Sequence, residues 1–338
     1  MEADDPSSMS SGEHHKKLVG VGLGAGLLGA IFFALKYAIR PAGKSPLPDT
    51  ISPAIFTTKV QHTSLGHLIY HEAGQGQPLI FIHSVCMGGS SYEWSKVYPS
   101  FIKRFRVLAP DLIGFGESQR PDAQRSASDY VRMLAELIRA TCWGESPIVV
   151  ASGLGAGFCI QLASQHPDLV SRLILHMPTG GNNFGFARLR RSTRLAARLP
   201  LLQRFLYRNY QSSRAAIREW LTTGGFVDPS RVTEEMLDVF TTCAQQNGAE
   251  YAIRNFHAGR LNFKPEARMK SLLMPVTFFW GSVPGFPSLE EGRRLHSLAR
   301  HGSFVVLPQV GALAALENPK AMIEALEEEL DGELRVVK

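Results

Sequence analysis

Short apolar segments alternate with amphipathic segments along most of this 338-residue chain. These apolar runs are typical of buried strands, and the central one, residues 147–150, is rich in β-branched residues and bounded by proline and glycine, as expected for a strand buried on both faces of a sheet. They lie at residues 78–84, 106–110, 147–150, 170–176, 275–280 and 303–307. Residues 126–141 carry apolar side chains every three to four positions and predict an amphipathic helix. This alternation predicts an α/β fold built on a mainly parallel, doubly wound sheet.

Three further segments complete the predicted architecture. Residues 56–63 and 67–72 have the pattern of a strand hairpin, and residues 90–105 have the pattern of a helix. Residues 181–262 show helical periodicity without a strand signal, which predicts a helical cap inserted into the α/β fold. The composition, 44% hydrophobic and 20% charged, is that of a globular protein.

The N-terminal region changes character at residue 18. Residues 1–17 are polar and predict a disordered tail, whereas residues 18–35 carry no charge. A helix of that length extends about 27 Å, enough to cross the apolar core of a bilayer. We therefore predict a transmembrane anchor at residues 18–40, a proline-rich linker at residues 41–54 and a main domain at residues 55–338. A cleavable signal peptide is the competing interpretation, but the acidic region in front and the lack of a small-residue cleavage site disfavour it.

Charges and cysteines indicate where the main domain lies. Lys16 and Lys17 precede the apolar span. Lys36, Arg40 and Lys44 follow it, and this excess predicts a single-pass membrane protein with a cytoplasmic main domain. The four cysteines are Cys86, Cys142, Cys159 and Cys243. They lack C-x-x-C spacing, so we predict free thiols, which are typical of proteins in a reducing compartment. Glycines at G-x-x-x-G spacing in the span would permit a homodimer, although small residues are common in membrane helices.

The central apolar run leads directly into a cluster of small residues. These residues are Ala151, Ser152, Gly153, Leu154 and Gly155. A buried strand that turns sharply into a helix through small residues is the arrangement of a nucleophile elbow, small-x-nucleophile-x-small. The nucleophile position is Gly153, which has no side-chain heteroatom and cannot attack a substrate. The sequence thus predicts the frame of a catalytic site without its reactive group.

Three further motifs resemble the α/β-hydrolase fold superfamily, and the resemblance covers residues 55–335. Phe-Ile-His-Ser at residues 81–84 is similar to the H-G turn after the third strand, where one oxyanion-hole amide is usually found. Asp-Leu-Ile-Gly-Phe-Gly-Glu-Ser at residues 111–118 matches the D-x-x-G-x-G-x-S loop. Glu-Asn-Pro at residues 317–319 matches the E-x-P motif that opens the last helix. The resemblance implies the hydrolase fold and, in its enzymes, a triad of nucleophile, acid and histidine.

The resemblance also locates the three triad positions, and all of them are substituted. The nucleophile position is Gly153, and the histidine position before the E-x-P motif is Ala312. The acid usually follows the seventh strand, where this chain has Pro284. Some members place the acid after the sixth strand instead, but residues 176–180 contain none. Because triad members act as a unit, we expect no standard triad catalysis.

The alternative is an active hydrolase, esterase-like or lipase-like, with a rearranged site. Ser84 replaces the usual glycine after His83, and Cys86 lies in the same loop. The simpler interpretation is that His83 braces the loop and Cys86 fills apolar space. Ser152 precedes the tip of the elbow and should point away from the pocket, whereas Leu154 lies near the second oxyanion amide. The histidines show no metal-ligand spacing, and we expect neither a metal nor a cofactor.

The first half of the cap is strongly basic. Residues 181–220 contain one acidic residue, Glu219, and nine arginines: Arg188, Arg190, Arg191, Arg194, Arg198, Arg204, Arg208, Arg214 and Arg218. A solvated face accounts for this spacing, but beside an anchor it would also suit anionic lipid. Nucleic acid is disfavoured as a partner because no recognition motif accompanies the charge.

Together these features predict a membrane-anchored α/β-hydrolase-fold protein that lacks triad activity. Its pocket between cap and sheet would bind a small apolar or lipid-like ligand, or its surface would bind a protein partner. A third interpretation is a purely structural membrane protein whose pocket is filled by side chains.

Overall fold

The computed structural model describes residues 38–43, 45–180, 198–282 and 287–336, with side chains to residue 331. The predicted tail and apolar span, residues 1–35, lie outside the described residues, and so does Pro284. Within the described ranges, no helix combines the length and the apolarity that a membrane crossing requires.

A single sheet of eight strands runs through the described chain. The strands are β1 (Thr57–Thr63), β2 (Gly66–Ala73), β3 (Pro78–Ile82), β4 (Arg106–Pro110), β5 (Ile148–Ser152), β6 (Arg172–His176), β7 (Val276–Gly281) and β8 (Gly302–Leu307). Their order is β1-β2-β4-β3-β5-β6-β7-β8. β2 pairs antiparallel with β1 and β4, and the remaining neighbours pair in parallel. The predicted mainly parallel sheet, with a hairpin at its start, is confirmed.

Helices connect these strands. Those of the described chain are α1 (Ala127–Thr141), α2 (Gly153–Gln165), α3 (Pro200–Leu206), α4 (Arg214–Trp220), α5 (Glu234–Gln245), α6 (Ala249–His257), α7 (Glu266–Met269), α8 (Leu289–His296), α9 (Ala314–Glu317) and α10 (Pro319–Val336). A capping box between Ser126 and Asp129 fixes the start of α1. The predicted helix at residues 90–105 is wrong, because two 3-10 helices lie there, Ser91–Trp94 and Tyr98–Phe101. Their aromatic side chains are buried, so packing rather than helical periodicity sets this segment.

The core lies on both faces of the sheet. In β3, where all residues are buried, Ile80 and Ile82 join a cluster with α1 and α2. Leu79 and Phe81 point to the opposite face and join a second cluster with the two 3-10 helices and α10. A strand that is apolar at every position is therefore covered by a layer on each side, as its sequence predicts.

The cap covers the loops that follow β3 and β8. Residues 198–262 form helices joined by turns, and this described part of the cap contains no strand. Ile217 of α4 and Phe240 of α5 share an apolar cluster with Cys86 after β3 and Leu313 after β8. These contacts hold the cap over one end of the sheet.

The segment after the predicted span lies on the cap. The Ala38 carbonyl accepts a hydrogen bond from Asn209 Nδ2 at 3.1 Å. The Gly43 N–H donates to the Gln245 carbonyl at 2.8 Å. The described end of the predicted anchor and the described start of the predicted linker are therefore held against cap residues.

Candidate functional site

The elbow predicted around Gly153 is present in the structure. β5 ends at Ser152, α2 begins at Gly153, and Gly153 has a φ of +52°, in the left-handed region that favours glycine. A Cβ at this position would lie 2.9 Å from the Cβ of Ser84. The space that a nucleophile side chain would need is thus already taken by Ser84.

The small residue at position 155 has a separate packing reason. A Cβ on Gly155 would collide with the His83 carbonyl oxygen at the end of β3. Glycine therefore lets α2 start close against the loop after β3, which is why the elbow pattern needs a small residue after its tip.

A buried carboxylate connects the two serines beside the elbow. Glu93 lies on the 3-10 helix Ser91–Trp94 and is 2% exposed. Its Oε2 accepts hydrogen bonds from the Ser84 N–H and the Ser84 Oγ, both at 2.8 Å. Its Oε1 accepts a hydrogen bond from the Ser152 Oγ. Burial raises the pKa of Glu93, and the hydrogen bonds from Ser152 and Ser84 act against that shift.

Glu93 is a site residue that sequence reasoning missed. The only signal for Glu93 in the sequence is its position between two large aromatic residues, Tyr92 and Trp94. In the structure, all residues of this short helix are buried. The resemblance locates an oxyanion-hole amide in the loop that contains Ser84, and the Ser84 N–H is occupied by the Glu93 carboxylate. That amide is therefore not free to bind a substrate oxygen in this arrangement.

His83 is held by the backbone through both ring nitrogens. Its Nε2 accepts the Leu112 N–H at 2.9 Å, so its Nδ1 carries the proton and donates to the Ser84 carbonyl at 2.7 Å. The ring is fully buried, and this burial lowers the pKa of His83. A neutral imidazole with both nitrogens engaged joins the loop after β3 to the loop after β4 and offers no free base to Ser84.

Cys86 and Leu154 each lie two residues after one of the serines along the chain. Cys86 Sγ is 3.8 Å from Ser84 Oγ and is almost fully buried. Burial raises the pKa of the Cys86 thiol, which keeps it protonated and unreactive. Leu154 follows the elbow tip on α2 and is also buried.

The other two triad positions contribute no titratable group. Ala312 lies after β8 and presents only a methyl group. The acid position, Pro284, falls outside the described residues. Glu317 of the E-x-P motif accepts the Gly311 N–H at 2.6 Å and the Val227 N–H at 2.7 Å. This glutamate joins the loop after β8 to the cap.

One group of side chains has the composition of a metal site. Oxygen or nitrogen atoms of His71, Asp111 and Glu117 lie within 4.8 Å of one another. The Asp111 oxygens accept the Ser91 and Glu117 N–H groups at 2.6 and 2.7 Å. His71 Nε2 is 3.2 Å from a Glu117 oxygen, and His71 Nδ1 is 3.2 Å from Thr58 Oγ1. Asp111 is thus bound to loop amides, and His71 lies against Glu117 and Thr58.

Comparison with known proteins shows which family has this fold. A sequence model of the alpha/beta hydrolase fold matches residues 77–319. The chain belongs to the α/β-hydrolase family. An uncharacterized hydrolase of Bacillus subtilis, YugF, is 23% identical over 267 residues, which cover 76% of this chain and 92% of that protein. The superfamily resemblance drawn from the motifs is therefore confirmed.

Shorter matches are more similar in sequence. An uncharacterized protein of Mycobacterium tuberculosis is 38% identical over 103 residues, 30% of this chain but only 29% of that protein. The 2-hydroxymuconate semialdehyde hydrolase of a Pseudomonas strain is 36% identical over 116 residues, 34% of this chain and 40% of that enzyme. Such matches span less than half of those relatives.

Solved structures share the fold at low sequence identity. The serine hydrolase of carbazole degradation, CarC, has a TM-score of 0.68 at 20% identity and covers 82% of this chain and 99% of its own. A membrane phospholipase A described as a bacterial virulence factor has a TM-score of 0.68 at 17% identity and covers 94% of this chain and 97% of its own. These similarities concern the fold alone.

Proposed function

We propose that this hydrolase-fold protein has lost triad catalysis and binds a small apolar or lipid-like ligand, or a protein partner, at a membrane. The observation that carries the proposal is Gly153 at the tip of the elbow, with the Ser84 side chain in the space beside it. A nucleophile requires a heteroatom at this position, and its activation requires a base. Gly153 has no side-chain heteroatom, and Ala312 provides no base at the histidine position.

The carboxylate beside the elbow supports the loss of acyl-transfer chemistry. Negative charge develops on the substrate oxygen during acyl transfer, and free N–H groups must stabilise it. Glu93 instead accepts the Ser84 N–H. In its ionised form it would also repel a developing oxyanion at short range.

The surroundings of the elbow favour an uncharged ligand. Leu154 and Cys86 are apolar, and the polar atoms of His83 are already bound to the backbone. The cap contributes apolar side chains such as Phe240 to the cluster that contains Cys86.

The membrane part of the proposal rests on the uncharged span at residues 18–35. The chain emerging from it lies on the cap at Ala38 and Gly43, so an anchor there would bring the cap close to the bilayer. A cytoplasmic main domain, and a homodimer through the glycine-rich span, remain predictions of the charge and glycine patterns.

Ion pairs restrict the basic-cap hypothesis. Arg214 and Arg218 pair with Glu234, and Arg204 and Arg208 pair with Glu250. Lipid attraction would therefore depend on Arg198, which is exposed, and on the arginines outside the described residues: Arg188, Arg190, Arg191 and Arg194.

A fractionation experiment tests the anchor. The full chain should pellet with membranes and resist carbonate extraction, because a spanning helix is not released by high pH. Deletion of residues 1–37 should release the protein and should leave the cap contacts of residues 38–43 in place. Recovery of the intact chain in the soluble fraction would contradict the proposal.

A binding experiment tests the ligand class. The full chain in neutral detergent should bind a long-chain monoacylglycerol saturably, as measured by tryptophan fluorescence. Leu154→Asn should weaken this binding because it places an amide beside the apolar site. Leu273→Asn is the matched control, since Leu273 is 63% exposed. Absence of saturable binding would favour the purely structural interpretation.

The alternative function, a rearranged hydrolase, is favoured by one observation. Ser84 Oγ donates to a carboxylate at 2.8 Å, so this hydroxyl has a proton acceptor within reach. Ester hydrolysis by the full chain decides between the two functions. We expect wild-type turnover equal to that of Ser84→Ala and of buffer. Turnover that Ser84→Ala and Glu93→Gln both abolish would identify the rearranged enzyme.

A further inference from the structure

A polar cavity lies away from the elbow, between the segment after the predicted span and the cap. Its volume is about 220 Å³. Residues 40–43 form one wall, and the other wall is formed by the π-helical turn Tyr207–Gln211, α5 and the start of α6. None of its lining residues belongs to the candidate site around Gly153.

The charges around this cavity are predominantly positive. Glu250 is buried on the cap wall. Its Oε1 accepts a hydrogen bond from Arg208 Nη2 at 2.8 Å and lies 3.1 Å from Arg204 Nε in an ion pair. One carboxylate opposed by two guanidiniums leaves a net positive charge. Arg40 adds a further positive charge from the opposite wall. The field in the cavity therefore favours an anionic ligand.

Several polar atoms at the cavity lack partners. Nη1 of Arg208 and Oγ of Ser212 make no hydrogen bond with any described residue, although Arg208 and Ser212 are both more than nine-tenths buried. Glu250 Oε2 is buried without a donor in the described part of the chain. An unsatisfied buried carboxylate oxygen is costly, so it calls for a donor from a ligand.

These requirements define the ligand. An anionic group suits Arg40 and Arg208, and a neutral hydroxyl suits Glu250 Oε2, because an ammonium donor there would lie beside two guanidiniums. We propose that the cavity binds a phosphoglycerol group. Its phosphate lies between Arg40 and Arg208, and a glycerol hydroxyl donates to Glu250 Oε2.

Two sources carry this chemistry, namely the headgroup of an anionic glycerophospholipid and soluble glycerol 3-phosphate. The cavity wall at residues 40–43 follows the uncharged span at residues 18–35 closely along the chain. Two hydrogen bonds hold this part of the chain to the cap: the Gly43 N–H donates to the Gln245 carbonyl, and Gln246 Nε2 donates to the Ser45 carbonyl at 3.0 Å. A headgroup beside the span would thus be within reach.

Titration calorimetry of the full chain in neutral detergent tests the proposal. Glycerol 3-phosphate should bind saturably and more tightly than inorganic phosphate, which lacks the carbon-bound hydroxyl. Arg40→Gln should weaken binding about tenfold, since one charge-assisted contact is lost. Arg40 is exposed, so this variant should fold, and Ser212→Ala provides a second weakened variant. Arg214→Gln is the matched control, because it removes an arginine from the cap outside the cavity.

Vesicles separate the two sources. Binding to phosphatidylglycerol vesicles but not to phosphatidylcholine vesicles, with competition by glycerol 3-phosphate, supports the headgroup. Binding of glycerol 3-phosphate without a vesicle effect supports the soluble ligand. The proposal is overturned if glycerol 3-phosphate fails to bind saturably or binds no better than inorganic phosphate. Equal effects of Arg40→Gln and Arg214→Gln would also overturn it.

Discussion

Gly153→Ala tests whether the elbow has been rebuilt around a missing side chain. In the wild-type protein, the backbone at position 153 has a φ of +52°, and the Ser84 Cβ fills the adjacent space. An alanine adds one methyl group to this position and changes no hydrogen bond. Any loss of stability therefore reports backbone strain and the contact with Ser84.

The expected cost can be worked out from two contributions. A left-handed conformation costs an L-residue about 1–2 kcal/mol relative to glycine. A Cβ placed 2.9 Å from the Ser84 Cβ forces the neighbours to move, which for an overpacked site costs about 1–3 kcal/mol. The lower entropy of alanine in the unfolded chain returns about 0.4–1 kcal/mol. We expect Gly153→Ala to lower the free energy of unfolding by about 1–5 kcal/mol.

A matched variant separates the two contributions. Gly144 also has a left-handed backbone, with a φ of +89°, but a Cβ there meets no atom within 4 Å. Gly144→Ala should therefore show the strain without the contact. Urea unfolding of both variants, followed by tryptophan fluorescence, should show the larger loss for Gly153→Ala.

A double-mutant cycle tests the contact directly. Combining Gly153→Ala with Ser84→Gly removes the Cβ that alanine meets, so the double variant should be more stable than the sum of the single effects predicts by about 1–3 kcal/mol. Additive effects, or equal losses for Gly153→Ala and Gly144→Ala, would refute the reasoning that Ser84 occupies the nucleophile space.

Two further predictions concern stability. Burial lowers the pKa of His176 to about 4 and also lowers that of His83, so both are neutral when folded. In the unfolded chain, the two histidines take up protons at about pH 6.5. The free energy of unfolding should therefore fall as the pH is lowered from about 6.5 to 4, and a urea midpoint that stays constant over that range would contradict this prediction. Glu317→Gln should cost about 1.5–3 kcal/mol in the same assay because it weakens the amide contacts of Gly311 and Val227, and an unchanged midpoint would exclude that role.

The centre of the sheet is predictable because a strand such as β3 is apolar at every position. A run such as Pro78–Ile82 cannot expose either face, so it requires layers on both sides. The elbow is also predictable, since small residues at fixed spacing reflect contacts with the neighbouring strand. Gly155 illustrates this, because its missing side chain makes room for the His83 carbonyl.

Other features depend on contacts between distant positions. Residues 90–105 have helical spacing, yet burial of their aromatic side chains produces two 3-10 helices. Glu93 becomes a site residue only when the fold brings it to Ser84 and Ser152. The basic stretch of the cap is likewise neutralised in part by acids that follow it, as Glu250 shows. Local periodicity contains no information about such partners.

Glycine at the tip of the elbow also has a consequence for stability. A nucleophile elbow places a side chain on a strained turn, and this strain is part of the catalytic arrangement. Glycine at position 153 adopts the same backbone without that cost. The turn from β5 into α2 therefore forms without backbone strain at position 153.

Covalent labelling with a serine-directed fluorophosphonate tests the central claim most directly. The reagent forms a stable adduct with any activated serine, and mass spectrometry of the digested full chain locates the modified residue. With glycine at position 153 and both nearby serines bound to Glu93, we predict no adduct on the native protein. A stoichiometric adduct that forms on Ser84 or Ser152 of the native protein, but not when the protein is unfolded before labelling, would contradict the account.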